Sequence, residues 1–261
     1  MRLTGGEPTI RRDLPRLVSA LAAVPGIDDI SLTTNAHRFA TQAKALRAAG
    51  LSRVNISLDS LDPKRFGEIT RGGDLGAVLA GVEAARAAGL TPIKINMVVM
   101  KGVNDDEVLA MARWCLPHRA DTILRFIEYM PFEGRWHENV SAADMRAKLG
   151  ELGELKTVDE RLGGGPAKYW EVAGLRVGFI APLTEHFCAS CNRLRLLADG
   201  HLRTCLAHEE TPSLRDIVRK GASDDELAGT IRAIVRGKPA GHEALTEGGR
   251  FFEGVMTGIG G

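Results

Sequence analysis

Short apolar runs alternate with alanine-rich helical stretches from the start of the chain to about residue 130, and this rhythm narrows the fold more than any other feature. The strand-like runs are Ile27–Thr33, Val54–Leu58, Ile93–Met100 and Ile123–Ile127, with a first one at or before Arg2–Leu3. Between them lie LPRLVSALAAV, RFATQAKALRAAG, GAVLAGVEAARAAG and DEVLAMARWCL, each with helical periodicity. The second and third end in Ala-Ala-Gly, a common helix stop. Repeated βα units require parallel strands. The C-terminal edge of such a sheet is where function is expected. The units are too few for a closed eight-stranded barrel, so a partial TIM-type βα barrel fits better.

After residue 140 the rhythm changes. A short helix over Ala142–Leu149 and a break at Gly163–Pro166 precede KYWEV and LRVGFIAP, which pattern as a hairpin. Leu194–Leu197 and His201–Thr204 then flank an Asp199-Gly200 turn. Helices are expected near Ser213–Arg219 and Asp224–Ile234, ahead of a Gly-rich end. The expected architecture is therefore α/β: an incomplete barrel over residues 1–135, and a smaller α+β domain over 136–261 that covers its mouth.

The 261 residues carry a formal net charge of +1, which offers no general field for nucleic acid or a membrane surface. Anion binding must therefore be local. No apolar run approaches the roughly 20 residues of a membrane span. MRLTGGEPTI is not an apolar leader, so the cytoplasm is the expected location. Four cysteines in such a chain argue for thiolate chemistry rather than disulfides. Cys115, in MARWCLP, is expected to be a buried small hydrophobe.

Three cysteines fall in FCASCNRLRLLADGHLRTCL with the spacing C-x2-C-x13-C: Cys188, Cys191 and Cys205. With His208 or His186 they would form a closed structural zinc site. Alone they would hold a [4Fe–4S] cluster with one iron open to substrate. Arg193 and Arg195 tilt the balance to the second reading. They share a face on an extended segment and suit an anionic ligand, whereas a structural zinc gains nothing obvious from them.

At the other end, Gly5-Gly6-Glu7 follows the first strand, where two glycines allow close backbone approach and a carboxylate could take an amino group. Polar residues recur where strands run out: Thr33, Thr34 and Asn35; Asn55, Ser57 and Asp59; Lys94 and Asn96; Arg125, Glu128 and Met130. Lys94 interrupts an otherwise apolar strand, and burying it calls for an anionic partner. The Gly260-Gly261 end, without side chains, could thread into a confined pocket.

Taken together, RLTGGEP, SLTTNA, VNISLDSLDP, IKINMVVMKGVND, RFIEYMP, FCASCNRLRL with DGHLRTCL, and the final Gly-Gly closely resemble the MoaA-type GTP 3',8-cyclases. These are radical S-adenosylmethionine (SAM) enzymes of molybdenum cofactor biosynthesis. The resemblance implies that Gly5, Gly6, Glu7, Ser57 and Met130 bind SAM. Arg2, Thr33, Lys94, Arg193, Leu194 and Arg195 would contact GTP. Cys188, Cys191 and Cys205 would bind an auxiliary [4Fe–4S] cluster, and Gly260 and Gly261 would reach into the active site. In the family, SAM is cleaved to a 5'-deoxyadenosyl radical that takes hydrogen from C3' of GTP, and the C3' carbon then attacks C8 of guanine. The product, (8S)-3',8-cyclo-7,8-dihydroguanosine 5'-triphosphate, passes to cyclic pyranopterin monophosphate synthase. The resemblance is also compatible with a homodimer.

One departure is large. The family holds a second, SAM-cleaving [4Fe–4S] cluster with a C-x3-C-x2-C motif after the first strand, and this chain has none, its first cysteine being Cys115. The expectation is a fragment or internally started gene product that is inactive alone; the alternative is a non-catalytic paralogue that binds GTP and metal.

Overall fold

The computed structural model describes residues 1–130, 138–159, 164–205 and 211–238. Its strands are β1 (Arg2–Leu3), β2 (Ser31–Thr34), β3 (Arg53–Ser57), β4 (Ile93–Val99), β5 (Thr122–Glu128), β6 (Lys156–Val158), β7 (Lys168–Val172), β8 (Leu175–Ile180), β9 (Arg195–Leu196) and β10 (Leu202–Arg203). The helices are α1 (Leu14–Ala22), α2 (Ala43–Ala48), α3 (Pro63–Thr70), α4 (Leu75–Ala87), α5 (Val108–Cys115), α6 (Ala142–Leu149), α7 (Leu214–Arg219) and α8 (Asp224–Arg236).

Eight strands form one open sheet in the order β1-β2-β3-β4-β5-β8-β7-β6. From β1 to β5, and between β5 and β8, every pairing is parallel; β8, β7 and β6 pair antiparallel. The hairpin expected in the second domain thus extends the sheet of the first, with β8 beside β5. β9 and β10 form a separate antiparallel pair around the Asp199-Gly200 turn. Among the described residues no helix is long and apolar enough to cross a membrane.

Strand alternation divides the sheet into two unlike faces. Leu32, Val54 and Ile56, with Ile93, Ile95, Met97 and Val99, then Leu124, Phe126, Val177 and Phe179, all face the core. There they meet Leu14 and Val18 of α1, Leu46 of α2, Val78 and Val82 of α4, and Met111 of α5. This is one continuous apolar layer. The intervening residues Arg2, Thr33, Arg53, Asn55, Ser57, Lys94, Asn96 and Arg125 are polar, and they share the opposite face.

Local chemistry explains the helix limits. Asp62 caps α3 by accepting from the Arg65 amide at 2.7 Å, with Pro63 in the first turn. Asp74 caps α4 by accepting from the Gly76 amide at 2.8 Å. Gly50 and Gly89 close α2 and α4 at φ +108° and +68°, a left-handed stop that suits glycine. The strand expected from Ile27 begins only at Ser31. Its leading residues serve a loop instead: the Ile27 amide donates to Val24, and Asp29 takes the Arg53 guanidinium.

Candidate functional site

The polar face is built in rows set by strand register. Arg2, Ser31 and Arg53 are in line across β1–β3. Next come Thr33, Asn55 and Lys94 across β2–β4. Then Ser57, Asn96, Arg125, Gly178 and Tyr169 lie across β3, β4, β5, β8 and β7. Side chains link the rows. Arg125 donates from Nε to Asn96 Oδ1 at 2.8 Å and from Nη2 to Asn55 Oδ1 at 3.0 Å. Asn55 in turn donates to the Leu32 carbonyl and to Thr33 Oγ1. Lys94, only 2% exposed, sets its ammonium 5.9 Å from the Tyr169 ring centroid.

Positive charge accumulates on this face. Desolvation, then the fields of Arg125, Arg53 and Arg2, bring Lys94 down to about 7. Arg2 is exposed as a residue, but desolvation of its head together with Arg125, Arg53 and Arg193 lowers it to about 10. Burial lowers Arg125 as well. Arg53 is held by Asp29 through Nε and Nη2, while its Nη1 is buried without a partner. Arg53 and Tyr169 escaped the sequence reading, and Arg125 was read only as a strand-end polar residue. For Arg125 the signal was present: like Lys94, it is a charge inside an apolar strand.

The carboxylate of the Gly5-Gly6-Glu7 loop is hydrogen-bonded within the protein. Glu7 Oε1 accepts from the Thr9 amide, Thr9 Oγ1 and Thr34 Oγ1, and Oε2 accepts from the Asn35 amide at 2.7 Å. The two bonds from Thr34 and Asn35 clasp the loop to the end of β2, and the two from Thr9 shape the turn that follows Glu7. A Cβ placed on Gly5 or Gly6 would meet nothing within 4 Å, so the glycine backbone itself borders open space. Ser57 and Met130 are half-buried, at and just beyond the C-terminal ends of β3 and β5. Glu128 is likewise a clasp, accepting from the amides of Ala142, Leu183 and Thr184.

The cysteine loop presents one face inward. Burial alternates strictly from Cys191 to Leu197, with Cys191, Arg193 and Arg195 on the covered side. Leu194 is 41% exposed on the other side, so only its backbone shares the arginines' surface. Cys188, Cys191 and Cys205 lie within one another's electrostatic reach: burial and the charges of Cys205 and Cys191 push Cys188 up. At Cys191 burial is outweighed by Arg193 and Lys238, which bring it to about 7. Desolvation and Arg193 lower Arg195 to about 10. Cys115 is buried away from this loop and pushed up to about 12, as suits a core thiol.

Arg193 ties the two regions together. Its charge acts on Arg2 at the sheet and on Cys188 and Cys191 in the loop, and its Nε is buried without a partner. Among the described residues no three His, Cys, Asp or Glu side chains converge on a single ion position. His186 is exposed, and His208, Gly260 and Gly261 lie outside the described residues.

A mostly parallel sheet with a Gly-Gly-Glu loop after its first strand, and a polar face near a cysteine loop, is an α/β arrangement that fits the radical SAM class. Residues 1–115 match the Radical SAM superfamily and residues 122–244 match Molybdenum Cofactor Synthesis C. The GTP 3',8-cyclase of Heliobacterium modesticaldum is 45% identical over 272 residues, covering 100% of this chain and 81% of that protein. Those of Syntrophomonas wolfei and Pelotomaculum thermopropionicum are 41% and 45% identical, covering 100% and 94% of this chain and 81% and 77% of theirs. Among solved structures, that of TYW1 with a lysine–pyruvate adduct bound gives a TM-score of 0.45 at 19% identity, over 59% of this chain and 50% of that one. The chain belongs to the GTP 3',8-cyclase family, the radical SAM enzymes of molybdenum cofactor synthesis.

Proposed function

We propose that this chain binds GTP between the polar face of the sheet and the cysteine loop, and positions it for the 3',8-cyclisation that names its relatives. The observation that carries this reading is the gathering of Arg2, Arg53, Lys94 and Arg125 on one face, with Arg193 acting on Arg2; burial first, then Arg125, Arg53 and Arg2, bring Lys94 to about 7. Cations crowded in this way are relieved by a polyanion, and a triphosphate is one. Thr33 and Arg195 complete the GTP contacts, with Leu194 contributing backbone.

Cys188, Cys191 and Cys205 suit an auxiliary [4Fe–4S] cluster by donor chemistry: three thiols, with two cationic groups lowering Cys191 toward the thiolate that ligation needs. Two buried donors fit the substrate beside it, Nε of Arg193 and Nη1 of Arg53. Gly5 and Gly6 would present backbone to SAM beside Glu7, Ser57 and Met130, with the Glu7 carboxylate also holding the loop to the end of β2. When bound, the SAM-cleaving cluster supplies the radical that starts the family's reaction. Its ligands are not among this chain's four cysteines, so turnover requires them in addition to these residues.

Residues 1–135 carry the SAM half, as an incomplete barrel, and 136–261 the cluster and GTP half. Gly260 and Gly261, outside the described residues, are assigned by the family resemblance to the active site, and the chain acts in the cytoplasm, where a reducing environment suits its thiols. The product goes on to cyclic pyranopterin monophosphate synthase, and a homodimer is compatible with the family. Calorimetric titration of GTP tests the reading. Arg193→Ala or Arg195→Ala is expected to weaken binding by about 1.5–3 kcal/mol, the range for hydrogen bonds to charged groups. Unchanged affinity in both variants would reject the clamp.

A further inference from the structure

The three thiols of the loop are not equivalent. Lys238, two residues past the end of α8, directs Nζ to Cys191 Sγ at 3.6 Å and to the Arg193 carbonyl at 2.7 Å. Cys191 is also hydrogen-bonded by Arg193, through both its side chain and its backbone. Cys188 feels Lys238 and Arg193 through their charges. One ammonium thus bridges the middle cysteine and the carbonyl of the residue that faces the sheet.

The placement of that ammonium follows from α8. The helix opens on a complete capping box, in which Ser223 accepts from the Glu226 amide and the Glu226 carboxylate accepts from the Ser223 amide. It closes at Gly237, and the Lys238 amide donates back to the Val235 carbonyl at 3.1 Å. Backbone bonds therefore hold Lys238 at the helix end. Its tip reaches 47 residues back along the sequence to Cys191.

We propose that Lys238 is a positioning residue of the cysteine centre: it locks the Cys191–Arg193 turn, and its N–H···S bond sets the reduction potential of the cluster held there. This rests on the reading that Cys188, Cys191 and Cys205 hold an iron–sulfur cluster. Reduction adds negative charge to the cluster. A cationic donor on a ligand sulfur stabilises that charge, so it makes the potential more positive. The bond to the Arg193 carbonyl fixes the backbone from which the Arg193 guanidinium projects. Lys238 thereby couples the end of α8 to both the cluster and the substrate side.

The test is redox titration with dithionite, followed by electron paramagnetic resonance, of the full chain reconstituted anaerobically with iron and sulfide. Lys238→Met and Lys238→Arg are compared with the parent, and iron is measured in each. The expected result is a potential shifted to more negative values in Lys238→Met at unchanged iron content, restored toward the parent in Lys238→Arg. Iron lost from Lys238→Met but kept by Lys238→Arg would also support the proposal, because the charge then holds the turn. Unchanged potential with iron retained in Lys238→Met would overturn it. So would iron lost from both variants, since guanidinium keeps the charge. Absence of iron from the parent would instead reject the cluster assignment itself.

Discussion

The ring of Tyr169 lies over Gly178, so close that a Cβ on Gly178 would stand 2.7 Å from Tyr169 Cε1 and 3.1 Å from Arg125 Cγ. The two residues are directly paired across β7 and β8, and the missing side chain admits both the ring and the arginine to the polar face. Gly178→Ala is expected to cost about 1–3 kcal/mol of stability by overpacking. Denaturant unfolding of Gly178→Ala, Tyr169→Ala and the double variant checks this. The double variant should be clearly less destabilised than the sum, because removing the ring removes the clash. Additive losses would show that the ring does not occupy that space.

Lys94 gives a pH signature. Its ordinary value of 10.5 is brought to about 7 by burial and by neighbouring arginines. The folded, unliganded chain therefore binds fewer protons than the unfolded chain between about pH 7 and 10.5, and its stability should rise with pH across that window. An anion placed beside Lys94 restores the charged form, so GTP binding should take up a proton above about pH 7 and weaken as pH rises further. Calorimetry in buffers of different ionisation enthalpy measures that uptake. Lys94→Met should abolish it. Uptake that persists in the variant would move the titrating group elsewhere.

Glu7 separates a clasp from a ligand contact. Its carboxylate already accepts four hydrogen bonds from Thr9, Thr34 and Asn35. Glu7→Gln puts an amide NH2 against donors, and about 1–3 kcal/mol of stability should be lost. Urea unfolding reads this directly. A variant that keeps full stability but binds SAM weakly would mean that the carboxylate serves the ligand instead.

Much of the parallel sheet was legible because apolar residues recur at a period of two in the strands and near 3.6 between them. The Lys168–Val172 and Leu175–Ile180 hairpin and α6 were equally clear. Helix α3 was missed because Phe66 is its sole buried residue, too few for a periodic signal, although Asp62-Pro63 is a start signal. β6 was missed for a similar reason, since an exposed edge strand has no apolar face to display. The union of β8 with β5 joins segments some 50 residues apart, and local pattern says nothing about such a pairing. Lys94 announced itself as a charge in an apolar run. Tyr169 and Lys238 gave no local signal, because their roles arise only when distant segments meet.

Anaerobic reconstitution followed by iron, sulfide and zinc analysis tests the central assignment most directly. About four irons per chain, lost on Cys191→Ser, is the predicted result for one [4Fe–4S] cluster on Cys188, Cys191 and Cys205. One tightly held zinc per chain without iron would contradict it, as would an iron content that Cys191→Ser leaves unchanged.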